Sequence, residues 1–159
     1  MTIQVFVYNY GLFDQALTMF NAFNALGYET FLLNCESPSD PPFEATDKIL
    51  KLPNVYYSGQ WNETLKLLTG DVAFILSSDI GIPNKRLLMR KMERFYDKWA
   101  DKSAIYAPNV WWTPWTFNPA LLEDVGAGCK KVMSTDSMVW SLKADLAYRV
   151  GPMDLNLNK

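Results

Sequence analysis

The run Val72-Ala73-Phe74-Ile75-Leu76 limits what this chain can fold into more than any other feature. It is wholly apolar, stopped by Gly70-Asp71 on one side and Ser77-Ser78-Asp79 on the other, and it reads as a strand buried on both faces. A strand with no polar face needs apolar cover above and below, so it belongs at the centre of a sheet with helices packed on both sides. The rest of the chain supplies the parts. Ile3-Gln4-Val5-Phe6-Val7-Tyr8 and Thr30-Phe31-Leu32-Leu33 read as two more buried strands, ending at Asn9 and Asn34. Between them Leu12, Phe13, Ala16, Leu17, Phe20, Phe23 and Leu26 recur at helical spacing until Gly27, which stands where a C′ glycine would. Ser37-Pro38-Ser39-Asp40-Pro41-Pro42 is a loop.

Further along, Glu44 to Leu52 is expected as a short helix stopped by Pro53, and Val55-Tyr56-Tyr57 as a brief strand. Trp61, Leu65 and Leu68 mark an amphipathic helix ending at Gly70. Asn84 is placed to cap a long helix reaching Lys102, with Leu87, Leu88, Met92, Phe95, Tyr96 and Trp99 on one face. Ala104-Ile105-Tyr106-Ala107, closed by Pro108, reads as a fifth strand, and Asn109 to Pro119 as a loop rich in proline and tryptophan. Lys131-Val132-Met133 and Met138-Val139-Trp140-Ser141-Leu142 read as strands, and Ala144 to Val150 as a short helix. Strands alternating with helices predict an α/β fold with a mostly parallel central sheet.

Composition removes several chemistries. The 159 residues contain no histidine, so a histidine-centred triad, a histidine-ligated metal and a histidine general base are excluded within this chain. Cys35 and Cys129 supply neither a zinc site of the usual kind nor a disulfide framework, and read as free thiols. Hydrophobic residues at 49% against 20% charged allow a core of ordinary size in one domain. A net charge of -2 argues against attachment to nucleic acid by bulk charge, though not against a local basic patch. The first residues lack a basic, then apolar, signal pattern, and no apolar stretch reaches the length of a bilayer span, so a soluble, cytoplasmic protein is expected.

Open α/β sheets bind ligands at the carboxyl ends of their strands. Those positions here hold Asn9 and Tyr10, then Asn34, Glu36 and Ser37, then Ser77, Ser78 and Asp79, then Asn109 with the tryptophan loop. The first turn, Tyr8-Asn9-Tyr10-Gly11, is not the glycine-rich turn of a dinucleotide site, and no P-loop pattern exists. Asp79 at the end of the central strand could hold Mg²⁺ or Mn²⁺ bridging a diphosphate, because such ions bind through one or two carboxylates plus the phosphates of the substrate. It could equally be a loop acid capping the next helix near Pro83-Asn84.

Asn62-Glu63-Thr64-Leu65-Lys66-Leu67-Leu68-Thr69-Gly70-Asp71-Val72-Ala73-Phe74-Ile75-Leu76-Ser77-Ser78-Asp79 resembles the N-x-G-x-x-x-A-x-G-D-x-x-x-x-L-D-x-D stretch of family 2 glycosyltransferases. Tyr8-Asn9-Tyr10 resembles that family's first turn, and Leu32-Leu33-Asn34-Cys35-Glu36-Ser37 its V-D-[DN]-G-S turn. Thr135-Asp136-Ser137-Met138-Val139-Trp140-Ser141-Leu142, followed by Val150-Gly151-Pro152-Met153-Asp154, resembles its D-G-x-x-x-L and G-x-F-D region.

The resemblance implies a GT-A-like nucleotide-diphospho-sugar transferase fold: a single domain over residues 1–159, with a nucleotide-sugar-binding half at 1–108 and the start of an acceptor half, incomplete, at 109–159. It implies metal-assisted, inverting transfer of a sugar from a nucleotide-diphosphate donor, a UDP-sugar first, to an acceptor hydroxyl. Tyr8, Asn9, Tyr10, Asn34, Glu36, Asn62 and Ser78 would bind the nucleotide-sugar, and Asp79 with Ser77 the divalent cation, Mg²⁺ or Mn²⁺. Two positions depart from the pattern: Ser77 stands for the first acid of D-x-D, and Asn34 for the acid that reads the base. The alternative is a catalytically degenerate domain that binds a nucleotide-sugar or a protein partner. A nucleotidyltransferase ranks last, because its glycine-rich first loop ending in a basic residue is absent.

An inverting transfer needs a base within about 3 Å of the acceptor hydroxyl. Without histidine it must be an acid, and Asp136 is the candidate, against the plainer reading that it caps a turn; Glu123 and Asp124 are weaker ones. Trp111, Trp112 and Trp115 would contact the acceptor, or a second copy of the chain through self-association, or fold back over apolar core. Lys85, Arg86, Arg90, Lys91, Arg94, Lys98 and Lys102 make the long helix basic. It reads first as a solvated face with pairs such as Arg90 with Glu93 and Lys98 with Asp101, and as a groove partner only if the acceptor is DNA bearing a hydroxylated base.

Overall fold

A computed structural model describes residues 1–99, 105–108, 121–126, 129–132 and 138–155. The elements run β1 (Ile3–Tyr10), α1 (Phe13–Ala25), β2 (Glu29–Cys35), β3 (Ile49–Leu52), α2 (Tyr56–Leu67), β4 (Val72–Ser77), α3 (Lys85–Lys98), β5 (Ile105–Tyr106), β6 (Leu121–Gly126), β7 (Cys129–Val132), β8 (Val139–Lys143) and α4 (Ala144–Val150). Six strands form one sheet in the order β3-β2-β1-β4-β8-β5, and β6 pairs with β7 in a separate hairpin. The pairings among β3, β2, β1 and β4 are parallel, whereas β8 runs antiparallel to both β4 and β5. The expected mostly parallel sheet is therefore corrected to a mixed one. Hydrophobic periodicity reports that a strand exists, but its direction follows from the path of the connection, here the long return from β5 to β8. That return seats β8, from beyond residue 108, inside the sheet between β4 and β5.

Alternation along the strands sends side chains to two cores. Val5, Val7, Leu32, Phe74 and Leu76 pack with Phe20 and Phe23 of α1 and Met89, Met92 and Tyr96 of α3. Phe6, Tyr8, Leu33, Ala73, Ile75 and Leu142 pack with Trp61 of α2 and Ala147 of α4. Helices thus cover both faces, and β4 is buried along Val72–Leu76 as its apolar run requires. α1 ends in the αL glycine expected: Gly27 has φ +89°, its N–H donates to the Asn24 carbonyl and that of Tyr28 to the Phe23 carbonyl. Asn84 caps α3, its Oδ1 accepting the Leu87 N–H at 2.9 Å.

Two expected elements exchange identities. Glu44 to Leu52 is not a helix: residues 49–52 form the edge strand β3. The Thr46 hydroxyl accepts the Ile49 N–H at 3.0 Å and so competes with helical bonding. Val55-Tyr56-Tyr57 is not a strand but the start of α2, whose inner positions Trp61 and Thr64 continue back to Tyr57 at helical spacing. Leu87 also leaves its expected place. It is 42% exposed, and the inner face of α3 is made by Met89, Met92 and Tyr96. No helix among the described residues is long and apolar enough to cross a membrane.

Candidate functional site

The strand order reverses between β1 and β4, since β1 leads to β2 and β3 on one side and the chain then returns to its other side. The carboxyl ends of β1 and β4 therefore flank the crevice where sheets of this kind bind ligands. In the ladder Asn9 pairs with Asn34 and Tyr8 with Ser77, which sets Asn34, Asn9 and Ser78 in one row at that edge. By strand alternation the row faces α1 and α3. All three side chains are buried, Asn34 completely.

The row is joined by hydrogen bonds of one polarity. Ser78 Oγ donates to Asn9 Oδ1 at 2.5 Å, Asn9 Nδ2 to Asn34 Oδ1 at 2.5 Å, and Asn34 Nδ2 to Asp40 Oδ2 at 2.9 Å. The order is dictated from one end. A carboxylate only accepts, so Asn34 must turn its amide nitrogen to Asp40 and its oxygen to Asn9. Asn9 must then offer its nitrogen to Asn34 and its oxygen to the Ser78 hydroxyl. Asp40 is held in turn by the Ser37 N–H, which donates to its Oδ2 at 3.0 Å. Its other oxygen, Oδ1, is buried and has no hydrogen-bond partner among the described residues. A buried acceptor without a donor is unfavourable by about 1–3 kcal/mol. From α2, Gln60 Nε2 donates to the carbonyls of Asn9 at 3.1 Å and Leu33 at 2.8 Å, fixing the same strand ends from the opposite face.

Around this buried row lie exposed groups. Tyr10 is 56% exposed at the tip of β1, and Gly11, at φ +74°, turns the chain away from it. Asp79 is exposed just past β4, beside half-buried Ser77. Glu36 is exposed and pairs with Lys51 at 2.8 Å. Two of the expected residues lie elsewhere. Tyr8 points to the α2 face, where its hydroxyl meets Thr64 Oγ1 at 2.7 Å and burial pushes its pKa well above the usual value. Asn62 holds the backbone of Met153, accepting its N–H at 2.8 Å and donating to its carbonyl at 3.0 Å. Asp136, Trp111, Trp112 and Trp115 lie outside the described residues, and of Glu123 no side chain is described.

Asp40 and Gln60 escape a reading of strand ends. The signal for Asp40 was present in Ser37-Pro38-Ser39-Asp40, where an acid three residues after a serine can close a turn onto it. Nothing local marks Gln60 beyond its place one residue before Trp61 on the inner side of α2.

Among the described residues no three His, Cys, Asp or Glu side chains converge as a metal cage. The lone carboxylate of Asp79 fits only a cation that brings most of its ligands with it, as a diphosphate-bound Mg²⁺ or Mn²⁺ does. A cleft of about 530 Å³ opens at the other end of β4, lined by Asp71, Val72, Tyr96 and Lys143. It lies roughly 20 Å along the strand from Asp79, at the amino ends where ligands of such sheets are not bound. No protein-family model matches the chain, and neither a curated protein nor a solved structure does. Fold and site thus define an α/β domain with a buried polar row at its topological switch point.

Proposed function

We propose that this chain is a GT-A-like glycosyltransferase domain that binds a nucleotide-diphosphate sugar, a UDP-sugar first, across the crevice between β1 and β4. The observation that carries the reading is the hydrogen-bonded row that ends in the unpartnered Asp40 Oδ1. Three apolar strands finish level with one another in polar side chains, and the last acceptor of the series lacks a donor among the described residues. The imide N–H of a uracil base is such a donor. Asp40 would then do what an acid in place of Asn34 does in the family this sequence resembles, while the Tyr10 ring covers base or ribose.

Transfer follows from where the diphosphate lies. Asp79 would hold Mg²⁺ or Mn²⁺, which supplies positive charge against the departing diphosphate. The acceptor oxygen forms its bond to the anomeric carbon from the face opposite, as the bond from that carbon to the diphosphate oxygen breaks. The hydroxyl proton passes to a carboxylate, for which Asp136 is the candidate. Ser77 in place of a second acid favours one other reading, a domain that binds the donor without transferring its sugar.

Calorimetric titration with UDP and MnCl₂ tests the binding step. Saturable, metal-dependent heat that disappears in Asp79→Ala supports it, and no heat at millimolar ligand refutes it. Hydrolysis of UDP-sugars by the same protein separates an enzyme from a binder.

A further inference from the structure

The exposed face of α3 is the strongest charge feature among the described residues. The helix carries six cations against Glu93 and Asp97, a net of +4 in a chain whose total is -2, so the remainder carries -6. Arg86, Arg90, Arg94 and Lys98 follow one another at four-residue intervals, with Lys91 beside them, and all five are exposed. At 100° per residue they share an arc of about 140° and extend over roughly 18 Å of helix. The expected pair of Arg90 with Glu93 does not form: Glu93 Oε1 accepts the Tyr28 hydroxyl at 2.8 Å instead. None of these five cations makes an ion pair among the described residues. Asp97 is the one exposed acid on that arc.

We infer that this face docks the phosphodiester backbone of double-stranded DNA. Evenly spaced cations along one ridge match a duplex, whose phosphates are numerous, regular and on the outside. Arginines predominate, and their planar forks bind phosphate oxygens in pairs. The alternatives fit less well. A membrane-bound basic helix needs a free apolar face, but Met89, Met92 and Tyr96 are buried in the core. A single strand calls for stacking aromatics along the whole ridge, whereas Trp99, with Lys98 Nζ 5.0 Å from its ring, stands only at the carboxyl end of α3, and Phe95 and Tyr96 pack against each other. α3 begins at Lys85, six residues after Asp79, so the amino end of the basic ridge follows directly on the carboxyl end of β4. Resting on the proposed donor site, this makes the acceptor a hydroxyl group carried by DNA.

Fluorescence anisotropy with a labelled duplex of about 20 base pairs, at a series of salt concentrations, tests the inference. The wild-type chain should bind at physiological salt with a dissociation constant of roughly 10⁻⁴ to 10⁻⁶ M, more tightly at low salt, and with a log–log salt slope of about -4.5, as five phosphate contacts require. Arg90→Glu with Arg94→Glu should weaken binding at least tenfold and reduce the slope by about 2, with an unchanged melting curve. The same double variant should keep the UDP and manganese titration of the wild type. Absence of duplex binding in the wild type would overturn the inference even if UDP binds. Equal affinity for polyglutamate, or for mixed phosphatidylserine and phosphatidylcholine vesicles, would overturn it too. Duplex binding without UDP binding would leave this surface standing and remove the donor site.

Discussion

Asn9 is the middle of the polar row, and its removal has a calculable consequence. Asn9→Ala deletes the bonds from Ser78 Oγ and to Asn34 Oδ1. It leaves the Asn34 carbonyl oxygen, wholly buried, without its donor and the buried Ser78 hydroxyl without its acceptor. Each orphaned group is unfavourable by about 1–3 kcal/mol, and the hydroxyl recovers part of this by rotating, so a loss of about 3 kcal/mol is expected. Ser78→Ala strands only Asn9 Oδ1 and should destabilise by about 1–2 kcal/mol. Because the two side chains share a bond, the double variant should lose less than the sum, with a coupling of at least about 0.5 kcal/mol. Urea unfolding followed by circular dichroism measures all three, read from the midpoint at constant slope. Tyr10→Ala, one residue along and exposed, is the control and should fall within about 0.5 kcal/mol of wild type. A change of that small size in Asn9→Ala, or zero coupling, would refute the relay.

Other expectations come from different parts of the fold. A Cβ on Gly59 would lie 2.1 Å from Val55 Cγ2 and 2.3 Å from Val55 Cβ, so Gly59→Ala should destabilise by about 1–3 kcal/mol although alanine favours helix; stabilisation in a thermal melt would contradict this packing. Asn84→Ala removes the cap of α3 and should lower stability by about 0.5–2 kcal/mol by urea unfolding, a loss that Asn84→Asp should largely avoid. Burial pushes the hydroxyls of Tyr57 and Tyr96 up to about 12 from an ordinary 10.0, so the folded state keeps protons that the unfolded state releases. Stability is then full below pH 10 and declines as the pH rises towards 12, by up to about 1.4 kcal/mol per pH unit for each tyrosine. Urea midpoints that stay flat across that interval would contradict this burial.

Strand positions were legible because a short apolar run between turn residues has few other readings, as Val72–Leu76 illustrates. Glu44–Leu52 and Val55–Tyr57 were not, for opposite reasons. In the first, a side-chain turn at Thr46 and pairing with β2 outweigh helix propensity. In the second, three β-prone residues are absorbed into a helix whose register is set by Trp61 and Thr64 on the core. The reversed direction of β8 depends on the path of a long connection, which no local pattern records. At the crevice, strand ends alone pointed to Asn9, Asn34 and Ser78, which the parallel register aligns. The contribution of Asp40 depends on a loop folding back over β2, and the bond of Asn62 to Met153 joins positions 91 residues apart. Neither can be read from local spacing.

Paramagnetic broadening by Mn²⁺ with UDP, read on the amide resonances of isotope-labelled protein, tests the donor site most directly. The expected result is loss of signal centred on Tyr10, Gly11, Ser78, Asp79 and Ile80, abolished by Asp79→Ala, while Asp71 and Lys143 at the far end of β4 stay sharp. Broadening centred on Asp71, Asp97 and Asp145 instead, or none near Asp79, would contradict the assignment of the crevice.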